Sequence, residues 1–363
     1  MFRPDEYLSD KFENFPKNLL EDFQKLMQNK TNFNEIAYTN QNIHSYTQKV
    51  FKKSAESSKK VKEIANKLFL QKKHDEKIHR TILFKYSESA ALAPADSEEL
   101  AASITNRSAF LLHLKQYQHS IIDIDLALSI TKSVILKSKL LCRKVQCLLA
   151  LNKESEAKIL SDETSKTLEN ISKEDENMKI KLSKELQELF KKNYRKFKLQ
   201  EKKDVLDLKN SNELPYISEA VSFKYCSKFG KHLVANRDIA TGEILTVEKP
   251  YCIYPDLDQL YIVCSHCLKF TFNSIPCKNC VFAVYCSKDC QKSAFKEYHD
   301  IECSINPLMF EKYSIFQNFI EANAFFSRLF IKLIKDIGIK QIIQQAQILD
   351  KTKGIINQSI LCY

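Results

Sequence analysis

The fold is decided by residues 264–303, which read CSHCLKFTFNSIPCKNCVFAVYCSKDCQKSAFKEYHDIEC. This stretch holds four ligand pairs spaced by two or three residues. In chain order they are Cys264 with Cys267, Cys277 with Cys280, Cys286 with Cys290, and His299 with Cys303. Structural Zn²⁺ prefers thiolate sulfur and imidazole nitrogen, four ligands to each ion in a tetrahedron. The pattern therefore predicts two structural zinc ions and leaves no open coordination position for catalysis.

Two pairings of these ligands fit the spacing. In the interleaved pairing, the first and third pairs hold one ion, and the second and fourth pairs hold the other. Crossed pairing fastens a short segment twice, which suits a stretch with little hydrophobic core of its own, because a bound ion can contribute ~10–16 kcal/mol to folding. We predict the interleaved arrangement, although sequential pairing satisfies the same spacing.

The composition of the whole chain predicts a mainly α protein with a small β and zinc portion. Its 363 residues include only 4 glycines, 8 prolines and no tryptophan, which disfavours all-β folds and Gly-rich nucleotide sites. The sequence shows no signal-peptide pattern and no apolar run of membrane-spanning length, so the 12 cysteines predict a reduced cytoplasmic or nuclear protein without a membrane partner. The net charge of +11 comes mostly from scattered lysines and predicts solvated helix faces, not nucleic-acid binding.

A helical pattern recurs over residues 61–158. Small side chains (Ala65, Ala109, Ala127 and Ala157) stand where the two helices of a pair would approach closely. The pattern resembles tetratricopeptide repeats, whose unit has about 34 residues. An unrelated helical bundle would show similar periodicity.

The cysteine-rich stretch resembles a MYND finger in its ligand order and in the segments VYCSKDCQ (284–291) and YHDIEC (298–303). Phe295 stands where that family usually has tryptophan. A RING finger is disfavoured because the stretch contains no Cys-x-His-x2-Cys spacing. The MYND resemblance implies a module that binds short proline-containing peptides and performs no chemistry itself.

Residues 228–250, KFGKHLVANRDIATGEILTVEKP, resemble the opening strands of a SET domain, with short strands predicted at 233–235 and 244–247. A SET domain interrupted by a MYND finger is typical of the SET and MYND protein-lysine methyltransferases, and the repeats resemble the branch with N-terminal tetratricopeptide repeats. The resemblance implies that a loop contacts S-adenosylmethionine. Its residues here are Phe229, Gly230, Lys231 and His232, the last replacing a usual second glycine.

These patterns divide the chain into five predicted regions. They are a polar helical region (1–60), repeats (61–205), the N-terminal part of a split SET domain (216–255), the MYND finger (264–303) and helices of an incomplete SET insert (304–363). The family's later Asn-His-Ser-Cys-type motif, its catalytic tyrosine and its third cysteine cluster are not found in the sequence. We therefore assign no catalytic residue and predict a methyltransferase-family chain without its catalytic SET core. The alternative is a non-catalytic zinc-binding adaptor.

A peptide clamp is also predicted in the repeats. The pattern is Lys62-x3-Asn66, then Asn106, then Lys139-x3-Arg143. It resembles the repeats that bind the acidic C-terminal tails of heat-shock chaperones, because cations can pair with carboxylates and asparagines can donate hydrogen bonds. The alternative is that both asparagines support the repeats and the cations are solvated.

Overall fold

Helices dominate the chain, and the described part agrees with the predicted fold class. The computed structural model describes residues 52–71, 75–191, 217–313 and 317–344, with backbone alone over 308–313 and 317–322. The parts of the predicted regions in 1–51, 192–216 and 345–363 lie outside the described residues. The described chain from Lys53 onward belongs to one compact unit.

Seven helices fill the first part of this unit in the described residues. They are α1 (Ala55–Phe69), α2 (Glu76–Leu92), α3 (Glu98–His113), α4 (Tyr117–Ile130), α5 (Val134–Ala150), α6 (Glu154–Glu169) and α7 (Glu176–Leu189). Helices α1 with α2, α3 with α4, and α5 with α6 pack as hairpins, and α7 packs on α5 and α6. This arrangement fits tetratricopeptide-like repeats.

The starts of four helices are set by side-chain caps. Ser54, Asp75, Ser97 and Ser133 each accept a hydrogen bond from the backbone N–H three residues later. Such a cap satisfies an amide that has no partner within the helix. The sequence therefore fixes where these helices begin.

Two repeat helices end in the same way. After α3, Lys115 adopts φ 60°, and after α5, Asn152 adopts φ 61°. In both places the next residue donates its N–H back to the helix, Gln116 to the Leu111 carbonyl and Lys153 to the Leu148 carbonyl, each at 2.9 Å. This is the paired closure of the Schellman motif. Its recurrence after α3 and α5 supports the repeat interpretation.

Small side chains lie at most of the expected helix contacts. Ala65, Ala127 and Ala157 are fully buried, whereas Ala109 is only half-buried. Each buried alanine belongs to a hydrophobic cluster, and the cluster between α5, α6 and α7 contains Val145, Leu182 and Leu186 among others.

A β-hairpin follows the repeats. Strand β1 (Val221–Cys226) pairs antiparallel with β2 (Gly230–Ala235), with Phe223 opposite Leu233. The expected strand at 244–247 is not formed: Thr246 makes a single bridge with Ile217, and the Ser218 N–H donates to the Leu245 carbonyl at 2.8 Å. The partner of β2 is therefore the preceding segment, because a three-residue turn brings the two strands together at little entropic cost.

The cysteine-rich stretch is compact and has little secondary structure. It contains β3 (Ile275–Pro276) paired with β4 (Val284–Tyr285), then α8 (Lys288–Ala294) and a π-helical turn (Phe295–His299). Two longer helices follow, α9 (Asp300–Tyr313) and α10 (Gln317–Ile337). None of the helices in the described ranges is long and apolar enough to cross a membrane.

The repeats and the cysteine-rich segment share one hydrophobic cluster. Ile262 and Val263, which precede the first cysteine, are buried together with Ile82, Tyr86 and Phe110 of α2 and α3. Nearby, Tyr261 packs edge-on against Phe84, with ring centroids 5.1 Å apart. The two parts therefore depend on each other for burial of their apolar surface.

A buried ion pair reinforces this junction. Arg107 of α3 and Asp123 of α4 are both fully buried and form two hydrogen bonds, of 2.7 and 2.8 Å. Arg107 also donates to Oγ of Ser274 at 2.8 Å, and Asn273 donates through Nδ2 to Asp123 at 2.8 Å. Both partners of the pair thus also bind the loop before β3.

Candidate functional site

The first group of ligands consists of Cys264, Cys267, Cys286 and Cys290. Their sulfur atoms all lie within 4.8 Å of one another, with Cys267 3.6 Å and Cys290 3.5 Å from the Cys286 Sγ. Cys264 is buried and the other three are half-buried. Ser287 caps α8 by accepting from the Cys290 N–H at 3.1 Å, which turns Cys290 toward Cys286.

The second group consists of Cys277, Cys280, His299 and Cys303, and all four are buried. The His299 Nε2 lies 3.4 Å from the Cys277 Sγ and 3.6 Å from the Cys280 Sγ. The Cys277 and Cys303 sulfurs are 3.9 Å apart. The imidazole therefore points its Nε2 into a group of three thiols.

Both groups fit tetrahedral zinc. With Zn–S bonds of ~2.3 Å, the sulfurs of a tetrahedron lie about 3.8 Å apart, close to the separations found here. The described cysteines form no disulfides, as expected for metal ligands. The structure groups the first pair of ligands with the third and the second with the fourth, which is the interleaved arrangement. His266 belongs to neither group and stacks on Tyr298.

The second group has an outer layer of polar contacts. Glu302, fully buried, lies with its Oε2 3.0 Å from the His299 Nδ1. Its Oε1 accepts from Nε of Arg328 at 2.7 Å. Burial alone would raise the pKa of Glu302, but Arg328 and His299 hold that pKa below its ordinary value. The carboxylate is thus charged and fixes the orientation of the imidazole, a common arrangement around metal-bound histidine.

Sequence reasoning missed both of these outer residues. Glu302 follows His299 at helical i, i+3 spacing, which could have indicated it. Arg328 stands on α10, far along the chain from the ligands, and no local pattern marks it.

Lys53 is a third residue that the sequence did not indicate. It donates to the Ala91 carbonyl at 2.6 Å. Burial lowers its pKa, while the neighbouring thiols of Cys280, Cys277 and Cys303 act in the opposite direction.

Two of the five predicted clamp residues, Asn66 and Asn106, are joined in one hydrogen-bond network, and Arg143 bonds to neighbouring groups of α3. Asn66 accepts at Oδ1 from the Tyr86 hydroxyl at 2.8 Å and from Nδ2 of Asn106 at 3.1 Å. Burial raises the pKa of Tyr86, and the charge of Arg143 acts in the opposite direction. Arg143 donates through Nη1 to the Thr105 carbonyl at 2.7 Å.

The two predicted clamp lysines are placed differently. Lys62 pairs with Glu99 of α3. Lys139 is half-buried on α5. The ligand-binding role of all five residues stays a prediction.

The predicted cofactor loop forms the tip of the β1–β2 hairpin. Gly230 has φ 63°, a left-handed conformation that suits glycine, and a Cβ there would meet nothing within 4 Å. Phe229 is 62% exposed, and the His232 Nδ1 lies 3.0 Å from the Gly230 carbonyl oxygen. The described residues do not enclose a cofactor around this loop, so its contact with S-adenosylmethionine stays a prediction.

Comparison with protein families settles the nature of the cysteine-rich stretch, because residues 264–303 match the MYND finger model over their whole length. Residues 264–303 are a MYND finger. The ligand geometry of the MYND finger agrees with this assignment, since both groups fit zinc.

The longer comparisons extend beyond the MYND finger. The chain is 28% identical over 271 residues to protein-lysine N-methyltransferase SMYD4 of Homo sapiens, 29% over 265 residues to that of Gallus gallus, and 26% over 271 residues to that of Pongo abelii. These matches cover 64–66% of this chain and confirm the predicted resemblance to SET and MYND proteins. The chain spans 33–35% of the length of these relatives. No solved structure matches it significantly.

Proposed function

We propose that this chain contributes to protein-lysine methylation by binding a partner protein through its repeats and its MYND finger. The observations that carry the proposal are the similarity to SMYD4 methyltransferases, which covers about 66% of the chain, and the MYND finger at 264–303. The junction through Ile262, Val263 and the Arg107–Asp123 pair supports it. A shared core would present the repeat surface and the finger in a fixed relation.

The five clamp residues of the repeats form the proposed site for an acidic C-terminal peptide of the chaperone type. Asn66, Asn106 and Arg143 supply amide and guanidinium groups from α1, α3 and α5, and Lys62 and Lys139 add cations on α1 and α5. Hydrogen bonds between a cation and a carboxylate are about twice as strong as neutral ones. Glu99 pairs with Lys62, so an incoming carboxylate competes with it or shares that cation.

The peptide proposal is tested by titrating a fluorescent peptide with an acidic C-terminus into the chain. Loss of a charged hydrogen bond costs ~1.5–3 kcal/mol, so Lys62→Ala and Lys139→Ala should each weaken binding about tenfold or more. Lys60→Ala is the matched control, because Lys60 lies on α1 with its side chain 70% exposed and pairs with Glu56. The same peptide with an amidated C-terminus should bind as weakly as the variants. Equal affinity of the acid and the amide would contradict the clamp.

The second candidate function is methyl transfer from S-adenosylmethionine. The resemblance of 228–250 to SET strands favours it, and Phe229, Gly230, Lys231 and His232 are the proposed cofactor contacts. The hairpin side chains Phe223 and Tyr225 are 51% and 75% exposed. This exposure suits a sheet that would pack against further SET structure, so we propose that catalysis would require such structure beside the hairpin.

Cofactor binding separates the two candidates. We expect equilibrium dialysis to find no saturable S-adenosylmethionine binding by this chain at millimolar cofactor, because the Gly230 loop is open to solvent. Saturable binding that Gly230→Val weakens, with Gly242→Val as the control, would instead favour a working half-site. Gly242 also has a positive φ, of 84°, and lies away from the hairpin tip.

A further inference from the structure

Among the described residues that follow the MYND finger, Arg328 makes four side-chain hydrogen bonds. It stands on α10 and is 2% exposed. Its guanidinium lies between two aromatic rings, 4.5 Å from the Tyr254 centroid and 4.2 Å from the Tyr298 centroid. Such stacking favours a planar cation and holds it in one orientation.

Each nitrogen of this guanidinium has a partner. Nε donates to Glu302 Oε1 at 2.7 Å, and Nη2 donates to Glu302 Oε2 at 3.1 Å. Nη1 donates to the carbonyls of Ile253 at 2.6 Å and Ser265 at 2.8 Å. The group is therefore a buried cation with a hydrogen-bond partner at each of its three nitrogens.

These partners connect Arg328 to both zinc ligand groups. Glu302 contacts the His299 Nδ1 at 3.0 Å, and His299 is a ligand of the second group. Ser265 lies between Cys264 and Cys267, the first two ligands of the first group. The Tyr298 hydroxyl also donates to the Ser265 carbonyl at 3.0 Å. A single side chain of α10 thus reaches both groups through one intervening residue each.

The other contacts of α10 with the MYND finger are more exposed. Lys332 pairs with Glu297 at 3.0 Å and Lys335 with Asp300 at 2.6 Å, and the two carboxylate side chains are 40% and 46% exposed. Exposed pairs contribute little to stability, with a median of ~0–1 kcal/mol. Arg328, in contrast, meets the finger through a buried ion pair with Glu302.

We propose that Arg328 is a positioning residue for both zinc sites and that it couples zinc loading of the MYND finger to docking of α10. Zinc holds the Cys264–Cys267 turn, whose Ser265 carbonyl accepts from Arg328. Zinc also holds the imidazole of His299, which contacts Glu302. Without zinc, both of these partners can move, and a buried guanidinium with displaced partners is costly. Because the coupling is reciprocal, the docked helix must also raise the zinc affinity of the finger.

The first arm of the test measures zinc affinity by competition with a chromophoric chelator, using Arg328→Gln, Arg328→Lys and the control Lys332→Ala in the full chain. Loss of an outer-shell contact typically weakens metal binding 10–100-fold, and we expect a loss in this range for Arg328→Gln. Arg328→Lys keeps the charge and should recover part of the loss, while Lys332→Ala should stay within about twofold of the parent. Unchanged zinc affinity in a folded Arg328→Gln protein would overturn the proposal.

The second arm uses the unaltered chain and so does not depend on the folding of any variant. Hydrogen exchange is followed in α10 with and without zinc. Helices α5, α6 and α7 serve as the internal reference, since their core cluster contains no residue of the finger. Removal of zinc should speed exchange in α10 at least tenfold more than in the reference helices. Equal protection of α10 in the two states would overturn the coupling.

Discussion

Replacing Cys277 with serine is expected to lower the number of bound zinc ions from two to one and to destabilise the MYND finger strongly. Cys277 is fully buried, and its sulfur lies within 4 Å of both the His299 Nε2 and the Cys303 Sγ. A structural zinc ion contributes ~10–16 kcal/mol to folding, which matches or exceeds the total stability of ~5–15 kcal/mol of most domains. The finger has no comparable source of stability.

The effect should extend into the repeats. Ile262 and Val263 lead directly into the first cysteine and are buried against Tyr86 and Phe110. Their release would expose apolar surface of α2 and α3 at a cost of about 25 cal/mol for each Å². The melting temperature of the helical signal should therefore fall along with that of the finger.

Native mass spectrometry and far-UV circular dichroism measure these two effects. Cys226→Ser is the matched control, because Cys226 is a half-buried cysteine of β1 outside both ligand groups. It should keep two zinc ions and the parent melting temperature. Two ions bound to a Cys277→Ser protein would contradict the assignment of Cys277 as a ligand.

Replacing Asp123 with asparagine should destabilise the chain by ~3–5 kcal/mol. The substitution leaves the buried charge of Arg107 without its counter-charge, and breaking a buried pair from one side has a cost of this size. It also weakens the link to the finger, because the Asp123 carboxylate accepts from Asn273. Urea unfolding followed by circular dichroism measures the loss.

Asp125 provides the control on the same helix. It pairs with Lys144 at 2.6 Å, but its side chain is 51% exposed. Asp125→Asn should therefore change the unfolding free energy by less than about 1 kcal/mol. Equal destabilisation by the two substitutions would show that the burial of the Arg107 pair is not what stabilises the junction.

The sequence by itself determined the local features of this protein. Ligand spacing predicted two zinc groups from eight residues, because metal coordination restricts which residue types can recur at short intervals. Helical periodicity predicted the repeats, and the caps at Ser54, Asp75, Ser97 and Ser133 mark helix starts through contacts only three residues long. The fold class followed from these signals and from the shortage of glycine and proline.

Only the tertiary structure decided the long-range choices. Spacing allowed both zinc pairings, and the three-dimensional arrangement selected the interleaved one. Arg107 meets Ser274, and Arg328 meets Ile253, across long stretches of sequence. A buried guanidinium can donate hydrogen bonds to any acceptor that packing brings within reach. No local sequence pattern therefore indicates which residue supplies that acceptor. The residues that join repeats, finger and α10 are consequently set by the packed core, whereas the zinc ligands are set by the chain itself.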